Sequence, residues 1–139
     1  MIRNEIEKRI LWGDLDSLCI VFYPRYYEWI DGCSHLFFEK ISLDLVKLWR
    51  NRQLIFSLVK TSCEYIRPGR YLQDIIITTH IEKLEKKTVI LNHAITDKST
   101  GKIMVKGVEK RICMGVEDLN NFKAMDIPED IYEIFKNCL

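Results

Sequence analysis

Four segments rich in Val, Ile, Thr and Tyr (residues 54–65, 71–84, 87–96 and 102–114) follow one another with only short breaks between them. Arg67-Pro68-Gly69, Glu85-Lys86 and the run Asp97-Lys98-Ser99-Thr100-Gly101 supply turn chemistry at the three joints. A parallel crossover needs about a dozen residues, so these strands have to pair with their neighbours antiparallel. Ahead of them, residues 5–12 place Ile6, Ile10 and Trp12 in alternate register, the pattern of a half-buried strand. Residues 18–23 form a short apolar stretch that reads as running inward, and Pro24 suits the first position of a helix. From Tyr26 to about Ile41 the spacing changes to three and four. Tyr26, Tyr27, Ile30, Cys33, Phe37 and Phe38 make a wide aromatic stripe, which suits a helix packed across a sheet.

Residues 43–50 add one or two helical turns, and Pro128 opens a last short helix through Phe135. Strand, long helix, then four strands is an α+β layer arrangement. No second crossover helix interrupts the strand run, which argues against a ferredoxin-like fold. The pattern predicts one curved antiparallel sheet wrapped around one long central helix, with residues 1–139 as a single domain.

Composition narrows the partners. The chain has 21 Lys plus Arg against 20 Asp plus Glu, a net charge of +1, so no global basic field invites nucleic acid. The longest purely apolar run is residues 18–23, far short of the roughly 20 residues that cross a bilayer. The first ten residues alternate charge with Ile and lack the apolar stretch of a secretory signal. Cys19, Cys33, Cys63, Cys113 and Cys138 are odd in number and contain no C-x-x-C pair, which predicts free thiols in a reducing, cytoplasmic compartment. His35, His80 and His93 sit at no metal-ligand spacing, so no metal site is expected. His93 alternates with Leu91 and Ile95 and reads as a structural residue of its strand.

Residues 12–29, WGDLDSLCIVFYPRYYEW, carry the chemistry. They bring Asp16 to the end of a strand shortly before a helix begins near Tyr23-Pro24. A helix N-terminus presents unpaired N–H groups and a partial positive charge. Such donors stabilise an oxyanion as it forms, and an adjacent carboxylate attacks a carbonyl or deprotonates a water. Asp14 reads as a turn residue and Asp31 as a solvated helix carboxylate. Cys19 has no neighbouring base to activate it, so packing or pocket lining is its expected role.

This segment resembles the signature of hotdog-fold thioesterases of the 4-hydroxybenzoyl-CoA thioesterase type, roughly G-D-x-D-x-x-G-I-V-[FWY]-Y-P-x-Y-x-x-W-x-D. Gly13, Asp14, Asp16, Ile20, Val21, Phe22, Tyr23, Pro24, Tyr26, Trp29 and Asp31 match it, and Tyr65-x-x-Pro68 matches the family's Y-x-x-P strand end. The resemblance implies a hotdog fold and hydrolysis of an acyl- or aroyl-CoA to free acid and CoA, without a cofactor. It gives Asp16 the role of nucleophile or general base and the Tyr23 amide that of oxyanion donor. It puts Cys19, Val21, Lys86, Lys87 and Thr88 at substrate-binding positions, with the two lysines meeting the CoA phosphates. It further implies a homodimer or homotetramer whose active sites lie at subunit interfaces.

The chain departs from the family's pattern, or from one branch of it, in three places. Cys19 replaces the usual Gly, Ser17-Leu18 replaces Pro-Ala, Pro24 stands where one branch has His, and Leu72-Gln73 replaces Gly-Asp. Two other functions fit the same residues: a thioesterase acting on acyl carrier protein, or a non-catalytic acyl-CoA-binding domain.

Overall fold

The computed structural model describes residues 1–139. In chain order the elements are β1 (Asn4–Arg9), α1 (Pro24–Lys40), α2 (Leu45–Arg52), β2 (Leu54–Tyr65), β3 (Asp74–Leu84), β4 (Thr88–Asp97), β5 (Ile103–Gly115), β6 (Lys123–Ala124) and α3 (Glu129–Lys136). All strands belong to one sheet in the order β1-β3-β4-β5-β2, with the two-residue β6 paired to β5. Every pairing is antiparallel. The alternation of the central strands decides which face is buried: Ile75, Ile77 and Ile81 of β3 and Val89, Leu91 and Ile95 of β4 all point inward.

Three helices lie on that face, so the expectation of a single long helix is too simple. The 17-residue α1 is the longest; Tyr26, Ile30, Cys33, Phe37 and Phe38 of the predicted aromatic stripe are buried, as is Ser34, while Tyr27 is half-buried. The short helices α2 and α3 add Leu48, Ile131 and Phe135 to the cluster around Phe37 and Phe38. A second cluster joins Ile10, Val21, Tyr26 and Ile30 to Ile75 and Ile77 of β3, Ile95 of β4, and Met104 and Val105 of β5. Gly107 allows the approach of α1, since a Cβ there would collide with the Ile30 side chain.

Two local expectations fail at the start of the chain. Trp12 does not continue β1; Asp14 accepts a hydrogen bond from the Leu11 amide at 2.9 Å and closes a 3-10 turn over Trp12–Asp14, leaving the indole on the surface. There it meets the Tyr71 ring edge-on at 5.5 Å. The apolar stretch 18–23 also does not run inward. Only Val21 is buried, while Leu18, Phe22 and Tyr23 are exposed. Apolar composition cannot distinguish a core strand from the rim of a cleft.

A chain of polar groups crosses the core between α1 and the sheet. Thr79 Oγ1 meets His93 Nδ1 at 2.9 Å, His93 Nε2 meets Ser34 Oγ at 3.2 Å, and the Ser34 hydroxyl donates to Glu109. Arg111 donates to both Glu109 oxygens, at 3.2 and 3.1 Å, and to Asp31 at 2.6 Å. His93 is thus structural, as its alternation suggested. Asp31 is no merely solvated carboxylate, because it helps neutralise a buried guanidinium.

Burial pushes the Glu109 carboxyl up, but the hydrogen-bonding groups of His93 and Ser34 and the charge of Arg111 outweigh it and hold the group at about 2. A pKa lowered on folding contributes stability above the unfolded value and loses it as pH falls through the folded one. Urea denaturation should therefore show about 3 kcal/mol lost between roughly pH 5 and pH 2 through this group. Glu109→Gln should remove that step and lower stability at pH 7 by roughly 3 kcal/mol, since Arg111 is left half-paired.

Candidate active site

The residues before α1 fold back on themselves. The Asp16 amide donates to the Ile20 carbonyl at 2.9 Å, and the Cys19 amide donates to the Asp16 carbonyl at 3.0 Å. This tight loop puts Cys19 at φ 60°, in the left-handed region. Cys19 is exposed and lies outside the cleft lining, as does Leu18. Within one protomer, then, Cys19 does not pack in the core, and neither it nor Leu18 lines the cleft. A glycine would adopt this conformation freely, whereas for a residue with a Cβ it costs about 1–2 kcal/mol.

Asp16 Oδ1 accepts a hydrogen bond from the Leu18 amide at 2.8 Å, which orients the carboxylate against its own loop. Asp14 stays with the turn, capping Leu11 and lying 3.8 Å from the Arg25 guanidinium. The start of α1 supplies the complementary donor. Pro24 has no N–H, while the Arg25 and Tyr26 amides donate to the Phe22 and Tyr23 carbonyls at 2.9 and 3.1 Å. The Tyr23 amide donates to no group of the chain. Unlike the Arg25 and Tyr26 amides, it is an orphan donor at the helix start.

Gly69 ties this turn to the loop after β2. Its carbonyl accepts from the Val21 amide at 3.0 Å, and its amide donates to the Tyr26 hydroxyl at 3.1 Å. A Cβ at Gly69 would lie 2.7–2.8 Å from the side chains of Val21, Ile10 and Tyr26. Burial pushes the Tyr26 phenol up, against the opposing effect of the Gly69 amide. Between the two tied segments opens a cleft of about 410 Å³, mostly apolar, that both Asp16 and Tyr23 line together with Val21, Phe22, Tyr26 and Tyr65.

Lys86, Lys87 and Thr88 are not part of it. Lys86 and Lys87 form the turn at the far end of β3 and Thr88 opens β4, some eleven residues from the cleft end of β3, or roughly 35 Å at the rise of an extended chain. Both lysines face Asp126, at 3.5 and 3.1 Å, and Thr88 Oγ1 is buried without a hydrogen-bond partner. One protomer alone does not bring these residues to Asp16. Sequence reasoning missed Arg67, which lines the cleft; its place inside the matched Tyr65-x-x-Pro68 was the available signal.

Two substitutions test this local structure. Cys19→Gly should raise stability by up to about 1 kcal/mol and Cys19→Val should lower it by at least that much, read as denaturation midpoints. Tyr26→Phe removes the acceptor of the buried Gly69 amide and should cost about 1–3 kcal/mol by the same measurement.

Comparison with known proteins places the fold in a group. Residues 10–135 match the thioesterase-like superfamily. The chain is 26% identical over 137 residues to a 4-hydroxybenzoyl-CoA thioesterase of Pseudomonas sp. strain CBS-3, covering 93% of this chain and 94% of that protein. The structure of a gentisyl-coenzyme A thioesterase superposes with a TM-score of 0.80 at 27% identity, over 92% of this chain and 98% of the other. A 4-hydroxybenzoyl-CoA thioesterase variant crystallised with 4-hydroxybenzoyl-CoA shares the fold at a TM-score of 0.88 and 22% identity, over 99% of both chains. With a match over nearly its whole length and the hotdog architecture in common, the chain belongs to the thioesterase-like superfamily.

Proposed function

We propose that this chain, as a single hotdog domain, hydrolyses the thioester bond of an acyl- or aroyl-CoA, releasing the free acid and CoA. The observation that carries this reading is the shared cleft: a carboxylate, Asp16, and an amide donor without a partner, Tyr23, border the same apolar space. The thioester carbonyl oxygen accepts a hydrogen bond from the Tyr23 amide, and the positive end of α1 adds to the stabilisation of the oxyanion. Asp16 then acts in one of two ways. It attacks the carbonyl carbon, expelling the CoA thiolate and leaving an anhydride that water cleaves, or it takes a proton from the water that attacks. Both routes use protein groups and water alone.

The acyl group rests against Val21 and the rings around it. The rings of Tyr23 and Tyr26 stand 6.5 and 5.9 Å from that of Tyr65, an aromatic wall that suits a planar acyl group. Relatives named for 4-hydroxybenzoyl-CoA and gentisyl-coenzyme A thioesterases support an aroyl substrate.

The working unit is a homodimer or homotetramer with shared sites. The edge strand β2 supports this, because it exposes Leu58 and Val59 and has neighbours on one side only. A second subunit is also what would carry Lys86, Lys87 and Thr88 to the CoA end of a cleft they do not line within one protomer. No helix is long and apolar enough to cross a membrane, and the five cysteines are free, in keeping with a reducing cytoplasm.

The test is Asp16→Asn, which keeps the shape and removes the basicity. The purified wild type should release free thiol from a panel of acyl- and aroyl-CoAs, and the variant should lose about two orders of magnitude or more in kcat. Full turnover by the variant would remove Asp16 from the mechanism.

A further inference from the structure

Of the residues lining the cleft, two carry formal charge: Asp16 and Arg67. They form no ion pair with each other, and no carboxylate of the chain neutralises Arg67. The guanidinium is nonetheless held in place. Its Nη1 donates to the Ile103 carbonyl at 2.5 Å, and its backbone amide donates to the Met104 carbonyl at 3.0 Å. Pro68 follows directly and restricts the backbone on either side of the peptide bond. One N–H of the planar fork is thus used as an anchor, and the others remain available on the wall of an apolar cleft.

Cations without a carboxylate partner are common on this surface, Arg3, Arg50, Lys60 and Lys106 among them, so what sets Arg67 apart is its place on the cleft wall. Arg9, Arg52, Lys86, Lys87 and Lys98 each have a carboxylate partner. At this end, Arg70, whose backbone bridges to the cleft residue Ile20, is like Arg67 without one. A pre-anchored guanidinium left without a counter-ion beside an apolar wall is suited to grip an anion through charge-assisted hydrogen bonds.

We propose that Arg67 binds an anionic oxygen group of the substrate: a phosphate of the CoA nucleotide, or a carboxylate borne by the acyl group. This assignment rests on the thioesterase reading and adds a residue to it. The cation would act on binding, with Asp16 and the Tyr23 amide left to the bond-breaking step. Its removal therefore shows in KM more than in kcat.

The experiment compares wild type with Arg67→Met and Arg67→Lys on three thioesters: benzoyl-CoA, benzoyl-N-acetylcysteamine (no phosphate, no carboxylate) and 4-carboxybenzoyl-N-acetylcysteamine. The expected result is a loss in kcat/KM for Arg67→Met about tenfold or more larger on one anion-bearing substrate than on the neutral one, arising mainly in KM. Arg67→Lys should restore part of it, because the charge remains but the fork is lost. A selective loss on benzoyl-CoA identifies the phosphate as the ligand, and one on the carboxybenzoyl thioester identifies the acyl carboxylate. Equal losses on all three thioesters, or no loss on any, would overturn the proposal.

Wild type inactive on every thioester would count against the thioesterase reading instead. Equilibrium titration of the same proteins with CoA and with 4-carboxybenzoate would then decide on Arg67 separately: tighter binding to wild type than to Arg67→Met sustains the proposal, and equal binding overturns it. Should Arg67→Met fail to fold for want of the Ile103 contact, Arg67→Lys and the salt dependence of wild-type KM on the charged and neutral thioesters give the same decision.

Discussion

The backbone of Gly69 holds the site together. Its carbonyl accepts from the Val21 amide and its amide donates to the Tyr26 hydroxyl, so the loop after β2, the loop carrying Asp16 and the first turn of α1 meet at one residue. A Cβ there would press on Val21, Ile10 and Tyr26 at once, so any other residue requires those three side chains to shift. The two walls of the cleft are the two segments joined there. A well-packed interior admits few alternatives to such an arrangement, so the spacing of Asp16 from the orphan Tyr23 amide follows from how this small junction packs.

Farther along α1 the helix is fixed in a different way. Apolar clusters hold it at both ends, and between them the groups from Thr79 to Asp31 form a connected polar line. Apolar contacts alone would tolerate some sliding of a helix on a sheet. A satisfied polar network does not, because each displaced partner strands a buried charge or hydroxyl. Gly107 allows the helix to sit close enough for that network to close. The position of the α1 N-terminus over the cleft is thus determined partly by residues well down the helix that never approach the substrate.

The strand run and the helix were legible because their signals are local. Turn residues between Val- and Ile-rich stretches can be read directly, and β2 begins and ends where its composition changes. The aromatic stripe of α1 was equally plain, since the three-and-four spacing of Tyr26, Ile30, Cys33, Phe37 and Phe38 has one geometric meaning. Residues 18–23 were not legible. The rim of a ligand cleft and a core strand share an apolar composition, and Phe22 and Tyr23 belong to the former, while Leu18 is exposed outside the cleft. Trp12 left its strand for a comparable reason, since the Asp14 cap outcompetes one more residue of alternation.

By itself the sequence determined the order of the elements, their antiparallel pairing, and the adjacency of a carboxylate to a helix start, because each depends on chain spacing or on neighbours a few residues apart. The tertiary structure alone decided that Lys86, Lys87 and Thr88 sit a strand's length from Asp16, and that Arg67 stands on the cleft wall. It also decided that Cys19 turns outward with a left-handed backbone. These outcomes depend on where long-range pairings bring distant segments, and hydrophobic spacing along a chain carries no record of which end of a strand a given turn will reach.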